Sequence, residues 1–311
     1  MITIKEAAKI INNKGIVAFP TETVYGLGAD ATSQSACLGI YRAKGRPSRN
    51  PLIVHVNSIE QVQIYGEFND NAQKLSAFWP GPMTIVLKKK STSKLADCVT
   101  AGLDTVAIRI PAHEIARDLL DQSACPIAAP SANKSGCLSS TSYDQVYNNF
   151  SDSLAIIGNK NSSIYGLEST IIDLSTETIT ILRLGFITPD MIENTLGLKV
   201  EIASKLSKIK APGMLMKHYA PRTKLRLNAD SLMEDEIGLN FAGSSLVSEF
   251  SLNLSAKGDL AEAATNLFKY LYQLDKYAEE LGIKSIAIAP IPDESIGLAI
   301  NDRLYRAAES D

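Results

Sequence analysis

The sequence predicts a mixed α/β protein with a large first domain and a small second one. Short runs of β-branched residues alternate with stretches of helical periodicity. Two of these runs, 170–173 and 178–182, adjoin without a helix between them, which predicts an antiparallel hairpin within a mixed sheet. After Ile202 the regular pattern stops, and a second α/β pattern begins near Lys224.

The first element is predicted to be a helix. Thr3 and Glu6 have the spacing of a capping box, and Gly15 ends the helical pattern. A short buried strand over 16–19 follows and stops at Pro20. Further strands are predicted over 52–56, 83–87, 106–110 and 154–157, and helices near 33–43, 58–65, 70–78, 113–122 and 141–150.

The segment 204–222 lacks a clear period and is rich in Lys, Gly and Pro, so we expect a basic linker there. This division gives a first domain over 1–203 and a small C-terminal α/β domain over 223–311. The second domain has a long predicted helix from Asp259 to about Leu281, whose apolar stripe we expect to pack on its own small sheet.

Composition and charge restrict the function. Hydrophobic residues make up 45% of the 311 residues and charged residues 21%, which is ordinary for a globular protein. Residues 1–227 hold 25 Lys and Arg against 19 Asp and Glu, whereas 228–311 hold 6 against 15. The total of −3 argues against non-specific coating of nucleic acid but allows a local anion pocket.

The four cysteines have no CxxC pair and no zinc-site spacing. No basic-then-apolar leader and no apolar stretch of about 20 residues is visible. We therefore expect reduced thiols, a cytoplasmic location and no membrane partner.

The densest chemical signal is the turn from Tyr41 to Pro51. Four cations fall within eight residues, and Gly45, Pro47 and Pro51 break the helical pattern. Cations on a rigid turn can converge on one polyanion such as a triphosphate. The alternative is a solvated basic loop, and the Gly and Pro spacing favours a site.

Three further segments hold polar residues beside predicted strands. The segment 21–31 contains a GxGxxA pattern, but a polar insert precedes it and a cationic turn follows, so we reject a dinucleotide site, and no P-loop occurs. The segments 128–136 and 166–170 are polar turns that can bind a ligand or simply reverse the chain. No carboxylate pair, His cluster or Ser-His-Asp order stands out, which argues against a hydrolase or a protein-ligated metal site.

Together these segments resemble the threonylcarbamoyl-AMP synthases, the YrdC-like family, in its long two-domain form. The stretches that carry the resemblance occur in order between residues 20 and 221; they are PTETVYGLGADA, KGRPSRNPLIVH, TVAIRIP, APSANKSG, GLESTIID, LRLG and PGMLMKHYAP.

The resemblance implies a large twisted mixed-sheet domain with a concave basic face, and a small Rossmann-like C-terminal domain. It also implies a nucleotidyltransferase that converts L-threonine, bicarbonate or CO2, and ATP into L-threonylcarbamoyl-AMP and pyrophosphate. Mg²⁺ would come with ATP. A threonylcarbamoyl transferase would then modify an adenosine next to the tRNA anticodon, and a weak contact with tRNA itself is allowed.

The resemblance also implies site residues. Lys44 and Arg46 would be catalytic, with Lys44 adding charge near the phosphates. The residues expected to hold threonine are Thr23, His55, Arg109, Ala129 and Ser169, with Arg109 pairing its carboxylate. Those expected to line the ATP site are Arg46, Asn50, Thr105, Ser131, Ser139, Arg183 and Tyr219. The linker with His218 and Tyr219 is predicted to be a lid.

Two other classes of function stay open at this stage. One is a non-catalytic module that binds tRNA or double-stranded RNA on the same basic face, against which the few aromatics (6%) and the net charge argue. The other is an ATP-using carbamoyl transferase that acts on a different acceptor. A panel of amino acids and a salt-dependent tRNA-binding assay would separate them.

Overall fold

The computed structural model describes residues 1–47, 49–158, 163–204 and 219–309. Most of the predicted linker, including His218, lies outside the described residues, so its role as a lid stays a prediction. Within the described ranges, no helix combines the length and the apolar character that crossing a bilayer requires.

The first domain is built on a ten-stranded mixed sheet. Its strands are β1 (Val17–Phe19), β2 (Gly26–Asp30), β3 (Ile53–His55), β4 (Met83–Lys88), β5 (Thr105–Arg109), β6 (Ile127–Ala129), β7 (Ala155–Ile156), β8 (Thr170–Asp173), β9 (Thr180–Arg183) and β10 (Glu201–Ile202). Their order across the sheet is β10-β9-β8-β4-β5-β3-β6-β2-β1-β7.

Helices cover this sheet. They are α1 (Ile4–Asn12), α2 (Gln34–Lys44), α3 (Ile59–Tyr65), α4 (Asp70–Leu75), α5 (Asp97–Thr100), α6 (Glu114–Gln122), α7 (Tyr143–Phe150) and α8 (Pro189–Leu196). The predicted capping box is present, because Thr3 accepts from the backbone of Glu6 while the Glu6 carboxylate accepts from the backbone of Thr3.

Strand pairing confirms the predicted mixed α/β class. The hairpin of β8 and β9 is antiparallel, whereas β3 and β5 run parallel, with His55 opposite Arg109. Since these two residues are the last of their strands, their side chains start from the same edge of the sheet. Arg183 ends β9 opposite Ile171, which places Ser169 and Arg183 side by side just beyond that hairpin.

The glycine-rich segment forms a strand that periodicity did not predict. Strand β2 pairs with β1 and β6, and its glycines allow close packing. A Cβ on Gly28 would lie 2.7 Å from ring carbon Cε1 of Phe19 and 2.7 Å from Cγ2 of Ile127. Glycine is therefore required at Gly28 because of strand packing. Strands β6 and β10 and helices α5 and α8 were likewise not predicted.

The second domain has a four-stranded parallel sheet in the order β11-β14-β12-β13. The strands are β11 (Lys224–Arg226), β12 (Glu236–Asn240), β13 (Leu252–Asn253) and β14 (Ser285–Ile288), and the helices are α9 (Leu260–Leu281) and α10 (Gly297–Ala308). Its core includes Val24, Leu138 and Leu167 of the first domain, so the two domains share one apolar layer. Asp259, where the predicted helix starts, caps α9 by accepting from the backbone of Ala261 and Glu262.

Candidate active site

A cavity lies beyond the ends of β3, β5, β6 and β9. Nine of the residues implied by the resemblance line it: Thr23, Arg46, His55, Arg109, Ala129, Ser131, Ser169, Arg183 and Tyr219. The remaining four, Lys44, Asn50, Thr105 and Ser139, do not line it.

Arg109 is held in place by three acceptors. Its Nη1 donates to Oγ1 of Thr23 over 2.8 Å, its Nη2 to Oε1 of Glu22 over 2.5 Å, and its Nε to the carbonyl of Gly81 over 3.2 Å. A guanidinium has five N–H donors, so among the described residues two remain for a ligand. Burial by itself raises the pKa of Glu22, but the Arg109 guanidinium outweighs it and the pKa lies below its ordinary value.

His55 is buried and neutral at physiological pH. Its Nδ1 lies 3.1 Å from the carbonyl oxygen of Ile53, and its ring meets Phe19 edge-on with centroids 6.1 Å apart. Burial, and then the nearby Arg109 guanidinium, lower the pKa of His55 to about 3. His55 therefore acts here as a hydrogen-bonding group, without a charge.

Ser169 joins two parts of the wall. Its Oγ lies 2.7 Å from Oγ1 of Thr84, and Nη2 of Arg183 lies 3.1 Å from the same oxygen. Arg183 also donates from Nε to the Ser169 carbonyl over 3.0 Å, and burial lowers the pKa of the guanidinium. These contacts fix the plane of Arg183 against the cavity.

The basic turn places Arg46 at the cavity. Helix α2 ends at Gly45, whose φ of +64° is the left-handed conformation that glycine adopts without strain. Arg46 then donates to the carbonyls of Asn50 and Pro51 over 3.3 and 2.9 Å. Burial lowers the pKa of Arg46 to about 10, so it stays charged at neutral pH.

Lys44 faces the loop behind the cavity. Its Nζ donates to the carbonyls of Ser131 and Asn133, over 2.6 Å to the first. Burial, and then the neighbouring Arg46, lower the pKa of Lys44 well below its ordinary value. Lys44 is therefore expected to affect the phosphate site indirectly, by holding the Ser131 loop in position.

The other three residues do not line the cavity. Asn50 is buried, and its Oδ1 has no hydrogen-bond partner among the described residues. Ser139 donates to Oε1 of Glu168, and Thr105 is the buried first residue of β5. Their assignment to the ATP site stays a prediction.

The site contains residues to which the sequence analysis gave no role. Thr21 and Glu22 lie in the polar insert before the glycine segment, and Glu168 lies in the turn that leads into β8. All three lie inside motifs that carry the family resemblance, PTETVYGLGADA and GLESTIID, and this position was the signal that could have identified them. Arg303 on α10 also contacts the site through Glu168, and no local pattern marks it.

Charge selects the kind of ligand that this cavity can hold. The lining contains three arginines, Arg46, Arg109 and Arg183, and one carboxylate, Glu168. In the described parts of the chain, no group of three or more His, Cys, Asp and Glu residues could hold a metal ion. The cavity is therefore suited to an anion bound by guanidinium groups.

Comparisons with known proteins agree over nearly the whole chain. The family described as "Telomere recombination" matches residues 9–185, and that described as "Threonylcarbamoyl-AMP synthase, C-terminal domain" matches 187–309. The first matched range ends at residue 185 and the second begins at residue 187, before β10, although β10 pairs with β9 of the first domain. The predicted division at 203 and 223 therefore stays a prediction.

The threonylcarbamoyl-AMP synthase of Pyrococcus abyssi is 39% identical and aligns over 98% of this chain and 94% of its own. That of Bacillus subtilis is 37% identical, over 98% and 92%. The crystal structure of P. abyssi Sua5 complexed with L-threonine superposes with a TM-score of 0.89 at 36% identity, and covers 98% of this chain and 94% of that one. This protein belongs to the threonylcarbamoyl-AMP synthase family, in its two-domain form, and is an enzyme of the nucleotidyltransferase type.

Proposed function

We propose that this protein forms L-threonylcarbamoyl-AMP and pyrophosphate from L-threonine, bicarbonate or CO2, and ATP. The carboxylated amine of threonine attacks the α-phosphate, and the bond between the α- and β-phosphates breaks. One observation carries the proposal: a single cavity joins residues expected to hold the amino acid with arginines expected to hold the triphosphate. The two substrates would meet there without a change of site.

Threonine would bind at the end formed by β3, β5 and β8. The two N–H groups of Arg109 that Glu22, Thr23 and Gly81 do not use would pair with its carboxylate. Neutral His55 and the hydroxyls of Thr23 and Ser169 would bind its polar groups, and Ala129 would pack against it. The crystallised P. abyssi relative binds L-threonine, which supports this assignment.

ATP would lie along the arginines. Arg46 and Arg183 supply fixed guanidinium groups, and Ser131 and Tyr219 complete that wall. Lys44, buried beneath, would hold the Ser131 loop in its place. Mg²⁺ would enter bound to the phosphates, because the lining carboxylate, Glu168, already accepts from Ser139 and Arg303.

Catalysis would rest on position and on charge neutralisation. The attacking carboxylate and the triphosphate repel each other, so fixed cations lower the barrier by holding both groups in line. Once the N-carboxylate exists, its oxygen needs no protein base to attack phosphorus. The product is a hydrolysable mixed anhydride, which makes exclusion of water useful and agrees with a covering linker over 204–222.

We further propose that the product is used by a transferase that modifies tRNA next to the anticodon, with at most weak binding of tRNA by this chain. Because the family is one of enzymes, a non-catalytic RNA-binding module is the weaker alternative. The expected cytoplasmic location would place the enzyme with its tRNA-modifying partner.

The test is product analysis with ¹³C-labelled bicarbonate. We expect pyrophosphate release that requires both L-threonine and bicarbonate, and a product one mass unit heavier than with unlabelled bicarbonate. Release of phosphate and ADP would show attack at the γ-phosphate and exclude an adenylate. Serine and alanine in place of threonine serve as matched controls: equal turnover would favour a carbamoyl transferase with another acceptor.

A further inference from the structure

Arg303 belongs to the second domain but reaches the wall of the cavity. It lies on α10 and is 1% exposed. Its Nε donates to Oε2 of Glu168 over 3.0 Å, its Nη2 to the carbonyl of Leu184 over 2.7 Å, and its Nη1 to Oδ2 of Asp302 over 2.6 Å. All three nitrogens of its guanidinium group are thus engaged, and two of the acceptors belong to the first domain.

Glu168 is the carboxylate among the described residues that line the cavity, and it is 4% exposed. Its two oxygens have different partners, since Oε1 accepts from Ser139 and Oε2 accepts from Arg303. A carboxylate so placed faces the same space as Arg46 and Arg183. Without Arg303 it would repel a triphosphate or turn toward those arginines and neutralise them.

The same guanidinium also holds Tyr219. Its carbon Cζ lies 5.1 Å from the centroid of the Tyr219 ring, within the range of a cation–π contact. Phe268 on α9 packs against the ring as well, with centroids 5.5 Å apart. Tyr219 lines the cavity, so Arg303 fixes two neighbouring parts of the wall at once.

We infer that Arg303 is a positioning residue for nucleotide binding: by pairing with Glu168, the second domain keeps the arginine-lined end of the cavity open to a polyanion. The inference rests on the proposed binding of ATP in this cavity. Specifically, the buried side chain of Arg303, from the second domain, offsets the negative charge of Glu168 where ATP would bind.

The experiment measures ATP binding directly, with Mg²⁺, by calorimetry on the full chain, and the KM for ATP and kcat in the pyrophosphate assay. The variants are Arg303→Met, Glu168→Gln and the double variant. We expect Arg303→Met to weaken ATP binding about tenfold or more, because a buried charge is left uncompensated beside the phosphates. The double variant, which lacks both charges, should bind ATP within about threefold of the unsubstituted protein.

Arg306→Met is the matched control, because Arg306 lies on the same helix and also donates to Asp302, over 2.9 Å, but does not contact Glu168. Thermal unfolding is recorded for every variant. ATP binding that is unchanged in Arg303→Met, or equally weak in the single and double variants, would overturn the inference. If Arg303→Met does not fold, the double variant decides: normal ATP binding supports the inference, and weak binding or failure to fold refutes it.

The proposed function is judged separately. If the unsubstituted protein binds ATP but releases no pyrophosphate with threonine and bicarbonate, the proposed reaction fails while the calorimetry still tests Arg303. If the unsubstituted protein releases pyrophosphate normally, but ATP binding by the variants does not depend on the charges at positions 303 and 168, only the inference about Arg303 fails.

Discussion

The buried pair of Glu22 and Arg109 should make the stability of the first domain depend on pH in a predictable way. Glu22 is 1% exposed, and its carboxylate accepts from Arg109 and, through Oε2 over 3.3 Å, from the backbone of His113. The perturbation is Glu22→Gln, which keeps the shape and one acceptor oxygen but removes the charge. Arg109 is then left without its counter-charge.

Hydrogen bonds to charged groups contribute roughly 1.5–3 kcal/mol. Removing one partner of a buried ion pair costs about 3–5 kcal/mol. Because glutamine still accepts a hydrogen bond, we expect a loss of about 2–3 kcal/mol at pH 7.5. With a urea dependence of about 2 kcal/mol per M, the unfolding midpoint should fall by roughly 1 M.

The sign of the pH dependence follows from the direction of the pKa shift. The pKa of Glu22 is lower in the folded protein than its ordinary value of 4.5, so its contribution is complete above that value. The contribution is lost as the pH falls through the folded-state pKa. The stability curves of the unsubstituted protein and Glu22→Gln should therefore converge below about pH 4.5.

The assay is urea unfolding followed by tryptophan fluorescence. Trp79, the single tryptophan of the chain, is buried in the first domain and donates to the carbonyl of Met83, so it reports on the domain that contains Glu22. Glu193→Gln is the matched control, because Glu193 pairs with exposed Lys199 in the same domain and should shift the midpoint little. Curves that stay parallel at every pH, or a control that loses as much, would refute the reasoning.

Three further predictions concern residues at the cavity or behind it. Arg46→Ala should mainly raise the KM for ATP, and Arg109→Lys should mainly raise the KM for threonine, each about 10- to 100-fold. Steady-state kinetics per folded molecule measures both values, and unchanged kinetics would show that the two residues are structural. The imidazole signals of His55 should not titrate between pH 5 and 8 in NMR spectra, because its pKa lies at about 3. Lys44→Met should raise the KM for ATP, because the Ser131 loop loses the hydrogen bond that Lys44 donates to it. Lys134→Met is the comparison variant at an exposed position; it loses a hydrogen bond of 2.8 Å to the carbonyl of Ala43.

Local signals in the sequence predicted the elements that depend on local physics. The cap at Thr3 was predictable because a capping side chain acts within three residues of itself. Strand β2 was missed because it is rich in glycine, and its need for Gly28 arises from Phe19 and Ile127, which lie elsewhere in the chain. Only tertiary packing makes that segment a strand.

In the candidate site, too, local sequence predicted some features, whereas others depend on tertiary packing. The motifs place Thr23, Arg46, Arg109 and Arg183 at one cavity because each follows or ends a predictable element. The direction of a side chain was not predictable: Lys44 and Arg46 are two residues apart, yet one faces the Ser131 loop and the other the cavity. Arg303 is 135 residues from Glu168, so no local pattern could connect them.

The shared layer between the domains explains why an acidic second domain can serve an anion site. Leu167 packs into the core of the second domain, while the next two residues, Glu168 and Ser169, line the cavity. A wall built this way is fixed from behind by apolar packing, with Gly166 so close to α9 that a Cβ would lie 2.5 Å from the carbonyl oxygen of Thr265. At this wall the second domain contributes the cation of Arg303, which pairs with Glu168. Preorganisation of this kind is what a site that works by position and charge requires.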